Sequence, residues 1–117
     1  MTTEEPTRPA TVPPPDCMLT LSLPRPLEEE VLDHLMAHPD LAPGFTLWQG
    51  QGMGTRVELT SAMEQVQGRA RRVFVQVALP RQHVSALLDA LRVELGNAGI
   101  AYWVTPLLAF GRLGVSA

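Results

Sequence analysis

The segment RRVFVQVAL, residues 71–79, has the clearest strand pattern in the chain, and the fold is predicted outward from it. One face of this strand is purely aliphatic and the other is mixed. The aliphatic face consists of Val73, Val75, Val77 and Leu79. The mixed face consists of Phe74, Gln76 and Ala78. A period of two with one apolar face is typical of a strand that covers a hydrophobic core.

Downstream of this strand the spacing changes from two residues to three or four. Pro80 ends the strand, and leucines and valines then recur on one helical stripe up to Gly96. The stripe consists of Val84, Leu87, Leu88, Leu91 and Leu95. Residues 100–105 (IAYWVT) alternate again and predict a last strand, which Pro106 ends.

Upstream, CMLTLSL at residues 17–23 alternates in the same way and predicts the first strand. An amphipathic helix is predicted to run from Pro26 to residue 38, because three glutamates favour its start and leucines repeat at helical spacing. Residues 45–49 predict the second strand. A long glycine-bearing connection, residues 50–69, follows, and Ser61 with Glu64 forms a capping box that predicts a short helical turn over 62–67.

The order strand, helix, strand, strand, helix, strand predicts an α+β, ferredoxin-like βαββαβ domain. Its antiparallel sheet of four strands would have both helices on one face. The other face would have no cover from its own chain. It would carry two large aromatic residues, Phe74 and Trp103, among smaller and polar ones. We therefore predict that Phe74 and Trp103 lie in a subunit interface, the alternative being a solvated sheet face.

Composition narrows the class of protein. The chain has 117 residues, 45% of them hydrophobic and 18% charged, which suits one globular domain. No apolar run is long enough to insert into a membrane. All nine basic residues are arginines, and with twelve carboxylates the net charge is −3. This acidic balance argues against a nucleic-acid partner.

The two ends of the chain differ from its middle. Residues 1–16 hold five of the eleven prolines and predict a disordered tail, with a proline-rich ligand for a partner domain as the alternative. The domain is assigned to residues 17–114, and residues 115–117 form a C-terminal tail.

A single cysteine, Cys17, excludes an internal disulfide, and Glu4 and Glu5 are unlike the start of a signal peptide. These features predict a cytoplasmic protein.

A basic cluster lies where the long connection meets the third strand. It comprises Arg69, Arg71 and Arg72, and residues 28–40 carry five carboxylates with no arginine. Guanidinium groups in such a cluster can bind a phosphate or carboxylate effector between subunits. Pairing with the acids of the first helix is the alternative.

A second candidate site lies on the first helix. Glu30, His34 and His38 follow one another at steps of four residues, which places them on one stripe and predicts a transition-metal site. Boundary histidines without a ligand are the alternative.

For catalysis, Cys17 lies in an apolar alternating strand, where a nucleophile lacks exposure and a basic neighbour. The spacing suggests no other catalytic constellation, so the protein is predicted not to be an enzyme.

Several segments resemble the PII signal-transduction superfamily. They are QGQGMG through QGRARR at 49–72, GNAGI at 96–100 and FGRLG at 110–114. TLSLPRPLEEEVLDHLMAHP, EQVQGRARRV and IAYWVTPLL are further similar to a small PII-like family encoded beside heavy-metal efflux pumps. The resemblance covers residues 17–114. It implies a homotrimer, effectors in clefts between subunits, and a loop at 50–69 that contacts a target such as a membrane transporter of an efflux system.

The resemblance also implies a nucleotide site. Gly96 and Gly99 match the phosphate-binding turn, Gly50 and Gly52 match the loop base, and Arg112 matches a C-terminal basic position. The family's phosphate-binding lysine has no counterpart, because the chain has no lysine, and the modified loop tyrosine is also missing. An adenine nucleotide is the effector that the resemblance implies. A metal-binding tolerance protein of the related CutA type, which shares the trimer, is the alternative.

Overall fold

The computed structural model describes residues 13–53 and 70–114, and the order of its elements confirms the predicted βαββαβ fold. Each helix is preceded by a short 3-10 turn, at Arg25–Leu27 and Arg81–His83. The strands and helices are β1 (Cys17–Pro24), α1 (Glu28–Met36), β2 (Thr46–Gly52), β3 (Ala70–Leu79), α2 (Val84–Leu95) and β4 (Ala101–Pro106). The predicted turn over 62–67, Arg69, and the tail segments 1–12 and 115–117 lie outside the described residues.

The strands form one antiparallel sheet in the order β2-β3-β1-β4. The register places Leu21 of β1 opposite Val75 of β3 and Tyr102 of β4. β1 and β3 are thus the two central strands, and the strand order is that of a ferredoxin-like sheet. Neither described helix has the length and hydrophobicity needed to cross a bilayer.

The core lies between the helices and one face of the two central strands. β1 and β3 contribute their alternate aliphatic residues, and each helix contributes one apolar stripe. From α1 these are Val31 and Leu35, and from α2 they are Val84, Leu87, Leu88, Leu91 and Leu95. Each fully buried aliphatic side chain stabilises the fold by about 1.5–3 kcal/mol. The periodicity of the sequence correctly identified these positions.

β4 is covered less well than its sequence pattern suggests. Tyr102 and Val104 alternate toward the helix side, yet they are 47% and 36% exposed, and Trp103 on the other side is 45% exposed. The reason is its place at the edge of the sheet. The buried core cluster is formed mainly by the two helices and the central strands β1 and β3, and no residue of β4 belongs to it.

The sheet face without helices, which we call the open face, carries the residues that the sequence assigned to it. The middle of this face is nevertheless buried. Thr20 is only 2% exposed, because side chains of both neighbouring strands flank it. Gln76 donates a hydrogen bond from Nε2 to Oγ1 of Thr20 over 3.2 Å. Beside this pair, the rings of Trp48 and Phe74 stack with their centroids 5.6 Å apart. The polar side chains at the centre of the open face are therefore hydrogen-bonded to each other. The part of this face near β2 is aromatic.

The predicted bounds of α1 and β2 are corrected. α1 ends at Met36 with Ala37 as its C-cap. The helix is therefore shorter than predicted, and residue 38 lies outside it. β2 begins at Thr46 and continues to Gly52, because its pairing with β3 extends to Ala70. Gly50 and Gly52 consequently lie within a strand.

Asp16, the last residue of the predicted tail, is anchored to the sheet. Its N–H donates to the carbonyl of Leu79 (3.3 Å), and its own carbonyl accepts from the N–H of Leu107 (3.0 Å). Its carboxylate accepts a 2.7 Å hydrogen bond from the backbone N–H of Arg81, at the start of the 3-10 turn before α2. Asp16 therefore belongs to the folded domain.

Cys17 is part of the core, as predicted, and is 1% exposed. Its thiol donates to the carbonyl of Leu79 over 3.3 Å. Burial raises the pKa of this thiol, and the negative charge of Asp16 raises it further, against a smaller lowering by Arg81. Both effects keep the reactive thiolate scarce.

We expect Asp16→Ala to lower the free energy of unfolding by about 1 kcal/mol, because the substitution leaves the Arg81 N–H without its carboxylate acceptor. Urea denaturation of the full chain measures this change. Asp89→Ala is the matched control, since it removes an exposed carboxylate 2.9 Å from Arg92 within α2, a contact worth a few tenths of a kcal/mol. Equal losses in the two variants would contradict the role given to Asp16.

We also expect Cys17 to react with a thiol reagent such as DTNB at least roughly a hundredfold more slowly in the folded protein than in denaturant, since labelling requires opening of the core. The reaction is monitored by the absorbance of the thiolate that DTNB releases. Rapid labelling of the native protein would show that β1 does not bury its first residue.

Candidate anion-binding cleft

Three arginines from two distant parts of the sequence line one cleft at the end of the sheet. The cleft has a volume of about 330 Å³ and lies where β1 and β2 end and β3 begins. It is lined by Arg25, Gln49, Gly50, Gln51, Arg71 and Arg72. We call this feature the arginine cleft.

The strand pairing explains why these residues meet. Gly50 lies opposite Arg72, and Gln51 lies opposite Arg71, so the last residues of β2 form one wall beside the arginines. Arg25, which follows β1, lines the cleft on the side away from β2. Pro24 keeps an extended backbone (φ −61°, ψ 139°), and the 3-10 turn that follows holds Arg25 next to the end of β1.

Arg72 is a buried cation, 9% exposed, with acceptors on two other elements. Its Nε donates to Oγ of Ser22 over 3.2 Å, and its Nη2 donates to the Ser22 carbonyl over 2.8 Å. The same Nη2 donates to the carbonyl of Gly99 over 3.2 Å. Since a guanidinium does not lose its proton in proteins, these acceptors compensate for its burial. Arg72 thereby joins β3, β1 and the segment that leads into β4.

The chemistry of the arginine cleft suits an anion. Arg25 and Arg71 are exposed there, so the cleft presents guanidinium groups to solvent, and none of the described residues that line it is acidic. Guanidinium groups bind phosphate and carboxylate oxygens through paired N–H donors. Gln49 and Gln51 add side-chain amides, which can donate to the same ligand.

Gly50 has a packing role in addition to its place in the cleft. A Cβ atom at this position would lie 2.7 Å from Cε2 of Phe74, closer than side chains approach one another. The ring of Phe74 is held there by its stacking on Trp48. Close approach of the ring therefore explains a glycine at position 50 without a ligand.

The structure separates the predicted ligand residues into groups. Gly50 and Arg71 lie in the arginine cleft, whereas Gly52 is the last residue of β2 and does not line it. Gly99 reaches the cleft only through its hydrogen bond with Arg72, and Gly96 lines a different groove between α2 and β4.

Arg112 lies at the opposite end of the open face. It lines a concavity of about 580 Å³ with residues from the start of β1 and β2 and the end of β3, including Met18, Thr46 and Ala78. One chain thus does not bring Arg112 to the arginine cleft.

The sequence patterns missed Arg25 as a residue of the cleft, and they also missed Gln49 and Gln51. Arg25 lies 46 residues before Arg71, and only the antiparallel pairing of β1 with β3 brings them together. The signal available in the sequence was its place between Pro24 and Pro26, directly after a strand.

The predicted metal stripe on α1 is not assembled. His38 lies beyond the end of the helix, which breaks the spacing of four residues. Nε2 of His34 instead lies 3.3 Å from Oε1 of Glu94 on α2. Across residues 13–53 and 70–114, no group of three or more histidine, cysteine or acidic side chains could hold a metal ion. Glu30, His34 and His38 therefore do not form the expected three-ligand site.

Solved structures of similar fold include regulatory proteins. A DUF3240 family protein from Shewanella baltica OS155 has a TM-score of 0.68 and 20% identity, covering 84% of this chain and 96% of its own. The nitrogen regulatory PII-like protein CPII from Thiomonas intermedia K12, bound to ADP, AMP and bicarbonate, has a TM-score of 0.62 and 17% identity, covering 85% and 97%. A putative PII-like signaling protein from Thermus thermophilus has a TM-score of 0.56 and 15% identity, covering 80% and 86%.

The sequence itself matches one family. No curated protein matches it significantly. The model of the family described as "Protein of unknown function (DUF3240)" matches residues 14–114, which include the whole of the predicted domain 17–114. The chain therefore belongs to the DUF3240 family, and it shares its fold with PII-like proteins.

Proposed function

We propose that the protein is a non-enzymatic PII-like regulator that binds an anionic effector, an adenine nucleotide, at the arginine cleft. The observation that carries this proposal is the convergence of Arg25, Arg71 and Arg72 on one cleft. Support comes from the similar fold of CPII, whose structure contains ADP, AMP and bicarbonate. Arg25 and Arg71 take the place of the missing lysine, since arginine binds phosphate through two parallel hydrogen bonds.

The regulator acts as a homotrimer, with the open face directed toward neighbouring subunits. Support comes from the aromatic side chains that this side of the domain exposes: Trp48 and Trp103 are 43% and 45% exposed. Exposed aromatic surface of this kind is typical of interfaces. In such a trimer Arg112 of one subunit lies at the cleft of a neighbour, which accounts for its distance from the cleft of its own chain. Phe74 and Trp103 are then interface residues.

The segment 50–69 carries the signal to a partner protein. The arginine cleft lies at the base of this segment, because Gly50 and Gln51 are its first two residues and Arg71 lies two positions after its end. An anion bound there contacts both ends of the segment. As the partner we propose a membrane transporter of a metal-efflux system, for which the family resemblance is the support.

Light scattering coupled to gel filtration tests the assembly. We expect the wild-type protein to have three times the mass of one chain, and Trp103→Asp to dissociate it into monomers, because the substitution puts a charge into the interface. Val93→Asp is the matched control: Val93 is also an exposed apolar residue, but it lies on α2, away from the open face. A monomeric wild-type protein, or a Trp103→Asp trimer, would contradict the proposed interface.

Calorimetric titration with ADP tests the ligand. We expect binding to the wild-type protein and a loss of about 10- to 100-fold in affinity in Arg71→Ala, from the loss of one or two charge-assisted hydrogen bonds. Arg81→Ala, which removes an exposed arginine near the other end of β3, should leave the affinity unchanged.

The absence of binding to the wild-type protein would overturn the proposal, and so would equal losses in the two variants. A parallel titration with Zn²⁺ examines the metal alternative. Heat that disappears in His34→Ala would favour a CutA-type metal-binding protein over a nucleotide sensor.

A further inference from the structure

The strand side chains that line the arginine cleft lie on the helix side of the sheet. In the pairing of β2 with β3, Gln49 lies opposite Val73 and Gln51 lies opposite Arg71. Side chains opposite each other in an antiparallel pair share a face, and so do those two residues apart along a strand. Because Val73 is buried in the core beneath the helices, both glutamines and Arg71 lie on that side.

Arg72 differs from the other arginines of the cleft. Its guanidinium lies on the open face, where Ser22 and Gly99 accept its hydrogen bonds. A ligand in the cleft therefore faces the guanidinium groups of Arg25 and Arg71, together with the amide groups of the two glutamines. All of these groups carry N–H donors, and two guanidinium groups can bind the two phosphates of a diphosphate.

The aromatic side chains of the chain all lie elsewhere. The chain has three phenylalanines, two tryptophans and one tyrosine, and all of them are among the residues that the structure describes. Trp48 and Phe74 belong to the strands that form the cleft, but their stacked rings lie on the open face. The others are Phe45 and Phe110, at the end of the sheet where Arg112 lies, and Tyr102 and Trp103 on β4.

This arrangement limits how the base of a nucleotide can be held. Proteins that bind single bases hold them mainly by stacking them on aromatic rings. A guanidinium can stack on a base as well, but Arg25 or Arg71 would then face the base and not the phosphates. The amides of Gln49 and Gln51 can present either an N–H or a carbonyl oxygen, so they do not distinguish adenine from guanine.

The size of the arginine cleft agrees with a small ligand group. Its volume of about 330 Å³ is near the lower end of the roughly 300–1,000 Å³ that ligand pockets span. Phosphates bound to the two guanidinium groups would fill the polar part of this space. The base of a nucleotide would then extend into solvent.

We propose that the arginine cleft selects its ligand by the phosphate groups and not by the base, so that GDP and inorganic pyrophosphate are ligands as well as ADP. The inference deepens the proposed function and rests on it, since it requires an anion in this cleft. Two observations carry it: the N–H donors on the helix side and the position of every aromatic ring elsewhere. The protein then senses a class of diphosphates and not one nucleotide.

Calorimetric titration of the full chain with ADP, GDP, pyrophosphate and adenosine tests this specificity. We expect the affinities for the first three ligands to lie within about fivefold of one another, because stacking of a base on a ring contributes roughly 5- to 150-fold. Adenosine, which has no phosphate, should give no heat. Excess pyrophosphate should abolish the heat of ADP binding, since both ligands occupy one site.

Arg25→Ala separates contacts with the phosphates from contacts with the base. It should weaken the binding of ADP, GDP and pyrophosphate by the same factor, about 10- to 100-fold, through the loss of charge-assisted hydrogen bonds. A larger loss for the two nucleotides than for pyrophosphate would overturn the inference, since Arg25 would then contact the base. Arg81→Ala is the matched control, because this exposed arginine follows the other end of β3 and should leave all three affinities unchanged.

The ligand comparison on the wild-type protein decides the inference even where Arg25→Ala does not fold. Binding of GDP or pyrophosphate more than about fivefold weaker than that of ADP would overturn the inference and leave the proposed function intact, since contacts outside this cleft would then hold the base. Binding of adenosine would do the same. The absence of heat with all three phosphate ligands would overturn the proposed function and the inference together.

Discussion

The pairing of β1 with β3 is the constraint on which the rest of the structure depends. It sets Leu19 opposite Val77 and Leu21 opposite Val75, so the aliphatic sides of both strands face the helices as one surface. The same register fixes the opposite face, because side chains alternate along a strand. A slip of one residue would expose the leucines of β1 and bury Thr20 and Ser22 under the helices. The position of the arginine cleft follows from this register as well.

The secondary structure could be predicted because each element satisfies its own period. The alternation at 71–79 and the leucine stripe of α2 gave correct elements, since burial on one side is encoded locally. The exposure of β4 could not be predicted in the same way. Its sequence alternates like that of a covered strand, but coverage depends on how far the helices extend, which a strand sequence does not encode.

The candidate site shows the same division between local and non-local information. Arg71 and Arg72 were identified as a cluster because they are adjacent in the sequence, whereas Arg25 joins them only through the pairing of β1 with β3. His34 is the converse case. Its spacing with Glu30 and His38 suggested that all three bind one metal ion, but its Nε2 lies 3.3 Å from Oε1 of Glu94 on α2. Only the packing of α1 against α2 brings Glu94 to His34, and the spacing of residues within one helix does not encode it.

The chain enters the sheet after Asp16 and leaves it before Leu107. The hydrogen bond between these two residues holds the two points side by side. Both points lie at the end of the sheet opposite the arginine cleft, because Cys17 pairs with Leu79 and Pro106 while the cleft borders the start of β3. A fluorescent label or fusion partner attached beyond either point would leave the cleft accessible. A short peptide could also join the two points covalently, and the resulting circular permutant could begin and end between β2 and β3 without a break in any of the four strands that the structure describes.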